Sequence, residues 1–434
     1  MGILIKNIDA LPSADGPAAL GVDIGIDGDR VAFVQKSGSP LPPGFAAGRT
    51  IPGAGRLAIP GLVNAHCHAA MTLLRGYADD MELETWLFDR IFPAEAQLSG
   101  DDIYWGTMLG AAEMIKNGVT CFNDMYLKMD SVAEAILGSG IRAAVSVGPL
   151  LTGKRGDAGV DADSCKAFFR KWDGAGGGNI RTNMEIHSIY LFQPETLAAG
   201  ARLAKELGSA IHIHILETAA ERENMLREYG KSSVLLAEEY GLLDSPVIAA
   251  HCVHVDSAEI LRLRDRGASV AHNPSSNLKL ASGIAPVPEM LRAGVNVCLG
   301  TDGAASNNSL DMFMEMRLAA LLHKGASREP AAVPAAQAFR MATRNGALAL
   351  GFEDCGEIAP GRKADITIVQ LDRPHLSPLH SHLSTLVYSA RGSDAETVIV
   401  NGKVLMENRE LLTIDEEKTT HMARAAAKKF IASQ

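Results

Sequence analysis

The strongest constraint on this chain is an alternation. Over residues 58–356, eight short apolar runs alternate with stretches of helical pattern. The runs are Leu62-Val63-Asn64, Thr120-Cys121-Phe122, Ala143-Ala144-Val145, Asn183-Met184-Glu185-Ile186, Ala210-Ile211-His212-Ile213, Val247-Ile248-Ala249-Ala250, Ser269-Val270-Ala271 and Asn296-Val297-Cys298-Leu299. Each is too short for a core helix and reads as a buried strand. Between them, segments such as Leu197 to Leu207 and Ser257 to Arg266 repeat apolar residues at helical spacing. Eight strand–helix units in this length predict an α/β fold of the (β/α)8 TIM-barrel type. The run Gly174-Ala175-Gly176-Gly177-Gly178 reads as a loop before the fourth strand.

The two ends have a different texture. Ile3-Leu4-Ile5, Val22 to Ile26 and Val31 to Val34 read as strands separated by turn residues, with a hairpin signal at Asp27-Gly28-Asp29. Near the other end, Ala364 to Val369 and Thr397 to Val400 read as strands, and Asn401-Gly402 is a two-residue hairpin turn before Lys403-Val404-Leu405. Residues 1–57 and 357–434 therefore pair into a small composite β-sandwich domain, interrupted by the barrel at 58–356. Ile414 to Ser433 reads as a helix.

The chain has 434 residues and a net charge of −10, with acids and bases interspersed. It carries no basic patch of the kind that nucleic acid requires. No apolar run approaches the roughly 20 residues of a membrane helix. The six cysteines are far apart and form no metal-binding pair, which suits reduced thiols in a cytoplasmic protein.

Polar residues at the ends of these strands form a set. His66 and His68 close the first run. In an extended chain, residues two apart share a face, so both rings reach one ion while Cys67 points away. His214 ends the fifth run and Asp302 follows the eighth. In a closed barrel the first and last strands are neighbours, and all C-terminal strand ends meet at one mouth. One histidine would be read as a buried, hydrogen-bonded side chain; a His or Asp in matching position on several strands is a metal site. Mixed imidazole and carboxylate ligation suits Zn2+, with Fe2+ or Mn2+ as alternatives. Three or four protein ligands leave room for a water, whose pKa falls toward about 7 on zinc. Glu217, three residues after His214, is the expected general acid/base. His251, at the end of the sixth run, orients the attacking water or steadies its charge. Asp302 both ligates and accepts a proton. His212 shares the face of His214 but lies deeper, and is the alternative ligand; His214 is preferred because it alone precedes Glu217 by three at the strand end. His254 and His272 read as structural.

These residues sit in longer motifs: Pro60-Gly61-Leu62-Val63-Asn64-Ala65-His66-Cys67-His68, Met71-Thr72-Leu73-Leu74-Arg75-Gly76, Phe92-Pro93-Ala94-Glu95, Ala249-Ala250-His251-Cys252-Val253-His254, Val270 to Asn277 and Gly300 to Asn308. In these the chain resembles the amidohydrolase superfamily, and within it the 5-methylthioadenosine/S-adenosylhomocysteine deaminases. The resemblance covers nearly the whole chain. It implies one metal, usually zinc, and hydrolytic release of ammonia from C6 of an adenosine derivative. It makes His66, His68, His214 and Asp302 the ligands and has Glu217 protonate the ring nitrogen beside the attacked carbon. It assigns Glu95 to ribose hydroxyls, His187 to the substrate and Trp86 to the pocket wall. Homo-oligomers are also an expectation of the resemblance.

The chain departs from the family at two places. The family commonly has an Arg a few residues after Arg142, but Val145-Ser146-Val147-Gly148-Pro149 has none; Arg155 is a candidate replacement. The run His187-Ser188-Ile189-Tyr190-Leu191-Phe192 is bulkier than usual. The 5′ substituent is thus left open among methylthioadenosine, S-adenosylhomocysteine, adenosine and 5′-deoxyadenosine. The alternatives are a related hydrolase acting on guanine, a triazine or a pterin, and a non-catalytic metal-bearing barrel that binds purines.

Overall fold

The computed structural model describes residues 2–149 and 159–431. Five strands come first: β1 (Gly2–Ala10), β2 (Ala19–Asp27), β3 (Arg30–Lys36), β4 (Ala47–Pro52) and β5 (Arg56–Pro60). Eight follow in the middle: β6 (Leu62–Cys67), β7 (Val119–Met125), β8 (Arg142–Val147), β9 (Ile180–Ser188), β10 (Ile211–Ile215), β11 (Val247–His251), β12 (Ser269–His272) and β13 (Asn296–Leu299). Four close the chain: β14 (Ile366–Gln370), β15 (Ala395–Val400), β16 (Lys403–Glu407) and β17 (Glu410–Leu411).

Strands β6 to β13 are parallel and lie side by side in chain order, the topology of a TIM-type barrel. All eight apolar runs fall on them. The seam between β6 and β13 is closed by side chains rather than by a regular ladder. Asn64 Nδ2 donates to Thr301 Oγ1 (2.7 Å) while the Thr301 N–H donates to Asn64 Oδ1 (2.9 Å). The Asp302 N–H donates to the His66 carbonyl at 3.0 Å. Two of the predicted site residues are therefore stitched together by the closure itself. Small inward residues (Val63, Cys121, Ala144, Ala271, Cys298) fill the barrel floor, and Ala347, Leu350 and Phe352 plug it from outside. The opposite end, where the strands finish, stays open.

The strands of the two chain ends join in one nine-stranded mixed sheet. Its own core draws on both ends, including Ile5, Ile8, Ile24, Ile26, Ile366, Ile368 and Ile399. Two of its strands, β4 and β5, carry no clear signal in the sequence. Only Ile51 of β4 is buried, so alternation is absent there. β5 abuts the barrel, with only Gly61 between it and β6. A Cβ at Gly61 would lie 2.0 Å from Thr120 Oγ1, so the close crossing demands glycine. The buried Arg142–Asp365 pair (2.7 and 3.1 Å) ties the start of β8 to the terminal sheet. The C-terminal helix spans Glu416–Ile431 and buries Ala423, Ala426 and Phe430. All six cysteines are buried and unpaired. Among the described residues no helix is long and apolar enough to cross a membrane.

Candidate active site at the barrel mouth

The strand ends deliver their side chains through strained turns. Leu216, His251, Cys252 and Asp302 all adopt left-handed backbone (φ +49°, +72°, +48° and +63°). Such conformations cost roughly 1–3 kcal/mol each in a non-glycine residue and cluster where geometry matters for function. Hydrogen bonds hold them here: the N–H groups of Cys252 and His254 donate to the carbonyls of Ile215 and Leu216, each at 3.0 Å.

The four histidines of the mouth share one wiring. Each ring uses Nδ1 outward. His68 Nδ1 meets the Met125 carbonyl (2.5 Å), His214 Nδ1 the His187 carbonyl (2.6 Å) and His251 Nδ1 the Asn277 side-chain oxygen (2.8 Å). A carbonyl oxygen only accepts, so these Nδ1 atoms carry the proton and the Nε2 lone pairs are free. His66 Nδ1 lies 2.8 Å from His212 Nε2, and His212 Nδ1 lies 3.1 Å from Ser146 Oγ. That chain is satisfied when both rings are protonated on Nδ1. His212 thus stands behind His66, and His214 is the ring at the mouth, as its spacing to Glu217 suggested.

The freed nitrogens converge. His214 Nε2 is 3.4 Å from His68 Nε2, and both are lone-pair atoms. Asp302 Oδ1 is 3.3 Å from His66 Nε2 and 3.2 Å from His68 Nε2. His66 Nε2 and His251 Nε2 are buried without a hydrogen-bond partner. With neutral rings, lone pairs face one another in this buried site, and a bound cation would satisfy them. Burial pushes His66 down to about 4. Burial also pushes His68 down, but the Asp302 carboxylate overrides it and raises the ring to about 9. The residues fit a divalent cation: imidazole nitrogens oriented by outer partners plus one carboxylate. His66, His68 and His214 form one close ligand group, and His66, His251 and Asp302 another.

Glu217 is buried just beyond this group. Its Oε2 lies 3.7 Å from His251 Nε2, and Ser282 Oγ donates to its Oε1 at 3.3 Å. Burial pushes its carboxyl up. Asp302 Oδ2 accepts from Ser276 Oγ (2.6 Å) and Ser306 Oγ (2.9 Å), which fix the carboxylate plane.

These groups open into a cavity of about 460 Å3 lined also by Glu95, His187 and Trp86. Glu95 Oε1 is buried with no partner, and burial raises the carboxyl to about 7. His187 Nδ1 is likewise unpartnered, and burial lowers the ring to about 3, so it is neutral. Trp86 is both core and wall: it is buried, its Nε1 donates to the Ala78 carbonyl (3.1 Å), and its face lines the cavity. Every site residue expected from sequence is in this cavity or its lining except His66, which lies directly behind it. Arg155 lies outside the described residues. Cys67 packs in the outer core, and His254 and His272 bond to Ser282 and His323, away from the convergence point.

Several supporting residues carry no clear signal in the sequence. Asn277 and Ser276 sit in the Asn273-Pro274-Ser275-Ser276-Asn277 run. Glu221 accepts from the N–H groups of Leu216 (2.9 Å) and Glu217 (3.0 Å) and from Ser233 Oγ (2.5 Å). A carboxylate four residues after Glu217 was the only available signal, and on a helix it reads as a surface acid.

The Amidohydrolase family model matches residues 57–405. A 5-methylthioadenosine/S-adenosylhomocysteine deaminase of Acetivibrio thermocellus is 48% identical over 434 residues, covering 99% of this chain and all of that one. A 5′-deoxyadenosine deaminase of Methanosarcina acetivorans is 50% identical over 380 residues, 87% of each chain. Among solved structures, a zinc-bound adenosine deaminase of Xanthomonas campestris superposes with a TM-score of 0.91 at 33% identity, covering 99% and 98% of the two chains. This chain belongs to the amidohydrolase family.

Proposed function

We propose that the protein is a zinc-dependent hydrolase that removes the C6 amino group of an adenosine derivative as ammonia. The candidates are methylthioadenosine, S-adenosylhomocysteine, adenosine and 5′-deoxyadenosine. The observation that carries this reading is the convergence of inward Nε2 atoms and Asp302 beside the buried Glu217, in a cavity that also holds Glu95 with its unpartnered Oε1. A zinc ion held by His66, His68, His214 and Asp302 would supply the Lewis acidity that makes water a nucleophile near neutral pH.

The chain's own residues do the rest. Glu217 takes a proton from the attacking water and delivers it to the ring nitrogen beside C6, which neutralises the charge that develops as water adds. Its burial suits this task, because a raised carboxyl is a better proton acceptor near pH 7. Asp302, held by two serine hydroxyls, accepts the second proton and passes it to the departing amine. His251, fixed by Asn277, steadies the attacking oxygen. Glu95 accepts hydrogen bonds from the ribose hydroxyls, and neutral His187 and Trp86 bound the substrate. Zinc-loaded protein should release ammonia from at least one of these nucleosides, read by a coupled ammonia assay or by the loss of adenine absorbance. No turnover on any adenosine derivative would sink the reading.

A further inference from the structure

Resting on that deaminase reading, we propose that Glu185 chooses the 5′ substituent. It selects nucleosides whose 5′ group donates a hydrogen bond: a hydroxyl or, better, an ammonium.

Glu185 stands two residues before His187 on β9, so both side chains share the inner face. Met184 and Ile186, on either side of Glu185, pack in the outer core. Glu185 lines the same cavity as Glu217 and Glu95, but from β9, alongside Val147 and Gly148 at the end of β8. Gly148 keeps that wing open. A Cβ there would lie 2.0 Å from the Glu185 carbonyl oxygen and 2.9 Å from its Cβ.

Among the described residues the carboxyl has no counterpart. No described side chain or backbone N–H bonds to it, and burial pushes it up to about 8, with Asp124 and Glu95 adding to the rise and His68 opposing it. Lys128 is the one described lysine or arginine lining the cavity, and its Nζ already donates to the Leu98 carbonyl. Acceptors outnumber donors nearby as well: Asp124 Oδ2 and Glu95 Oε1 are buried without partners, Asp124 Oδ1 already accepts from the Ala69 N–H, and the Tyr126 hydroxyl beside Glu95 is the one unpaired buried hydroxyl described in the lining. A ligand that closes this wing with an apolar group seals a carboxyl away from water with nothing to bond, whereas a donor group satisfies it. A cation adds the counter-charge that the cluster lacks. With the purine at Glu217 and Asp302 and the ribose at Glu95, the 5′ carbon is the part left to face β8 and β9. The same surplus of acceptors disfavours a 5′ group that ends in a carboxylate.

The test uses the full zinc-loaded chain and its Glu185→Gln variant, which keeps the side chain's shape. kcat/KM is measured for adenosine, 5′-amino-5′-deoxyadenosine, methylthioadenosine and 5′-deoxyadenosine. Wild type should prefer the 5′-amino compound over the methylthio compound by at least about tenfold, equivalent to about 1.4 kcal/mol. Adenosine should fall between them. Glu185→Gln should cut that ratio by at least about tenfold, chiefly through KM of the 5′-amino substrate. A wild-type ratio near one, or a ratio unchanged by the substitution, overturns the proposal while leaving deamination intact. The wild-type ratio decides the matter even where the variant fails to fold. Absence of ammonia from all four nucleosides overturns the deaminase reading and this proposal with it.

Discussion

Replacing Glu221 with alanine should damage both stability and turnover, although Glu221 touches no substrate. Its carboxylate is buried at the start of the helix Ala219–Tyr229 and accepts the backbone N–H groups of Leu216 and Glu217. Leu216 is left-handed, so the turn that carries Glu217 cannot place these N–H groups in a regular ladder. Removing the acceptor strands two buried backbone donors at about 1–3 kcal/mol each, a loss of roughly 2–6 kcal/mol before the freed but rotatable Ser233 hydroxyl is counted, and at the lower end if water enters. The chemical cost is separate. Glu217 must reach both the water and the ring nitrogen, and a displacement of about 1 Å costs on the order of a hundredfold. Glu221→Gln keeps one acceptor oxygen but places an amide donor where the second N–H points, so its losses should be intermediate. Urea denaturation with zinc held constant gives the first quantity, and kcat on the best nucleoside the second. If Glu221→Ala unfolds within about 0.5 kcal/mol of wild type and retains kcat within about twofold, the carboxylate is not what holds the turn.

Glu217→Gln should retain zinc at full stoichiometry by metal analysis yet lose about 10²- to 10⁴-fold in kcat, the range for a positioned proton carrier. Arg142→Ala leaves Asp365 buried and unpaired and should cost about 3–5 kcal/mol in chemical denaturation; a loss below about 1 kcal/mol would mean that water replaces the guanidinium. Glu315 is fully buried, accepts from the Ser275 N–H and Asn307 Nδ2, and is raised by burial from 4.5 to about 7. A carboxyl raised on folding binds its proton more tightly in the folded state, so its contribution is present at low pH and is lost as pH rises from about 4.5 through about 7. The span corresponds to at most about 3 kcal/mol. Glu315→Gln should therefore flatten the fall in wild-type stability between pH 5 and pH 8, and an unchanged slope would refute the assignment.

Much of the site was legible because a parallel barrel converts sequence position into spatial position. A polar residue at the end of an apolar run must appear at the mouth, whichever strand carries it. His66, His68, His214, His251 and Asp302 could be collected on that ground before any coordinate was known. Glu217 followed from its offset to His214. What was hidden lies one contact further out. Ser276, Asn277, Ser282 and Glu221 orient the inner groups from loops and helix starts, where no periodicity marks them. In the sequence Glu185 is only a strand residue; that no described group bonds its carboxyl appears once the cavity lining is assembled. β4 is unmarked for a related reason: with one buried residue it has no alternation to read.

The sequence by itself determined the eight barrel strands, the joining of the two chain ends, the His and Asp side chains gathered at the strand ends, and the family. Those depend on local periodicity, turn chemistry and the identity of side chains at strand ends. Tertiary structure decided which nitrogen of each histidine faces inward, that His212 backs His66 instead of joining the group, and that Asn64 and Thr301 lock the seam beneath Asp302. It also decided that two acidic side chains, Glu95 and Glu185, line one cavity with few partners among the described residues. These outcomes depend on how the barrel closes and on which buried polar atoms find partners. Partners come from residues tens to hundreds of positions away, and no local pattern encodes them.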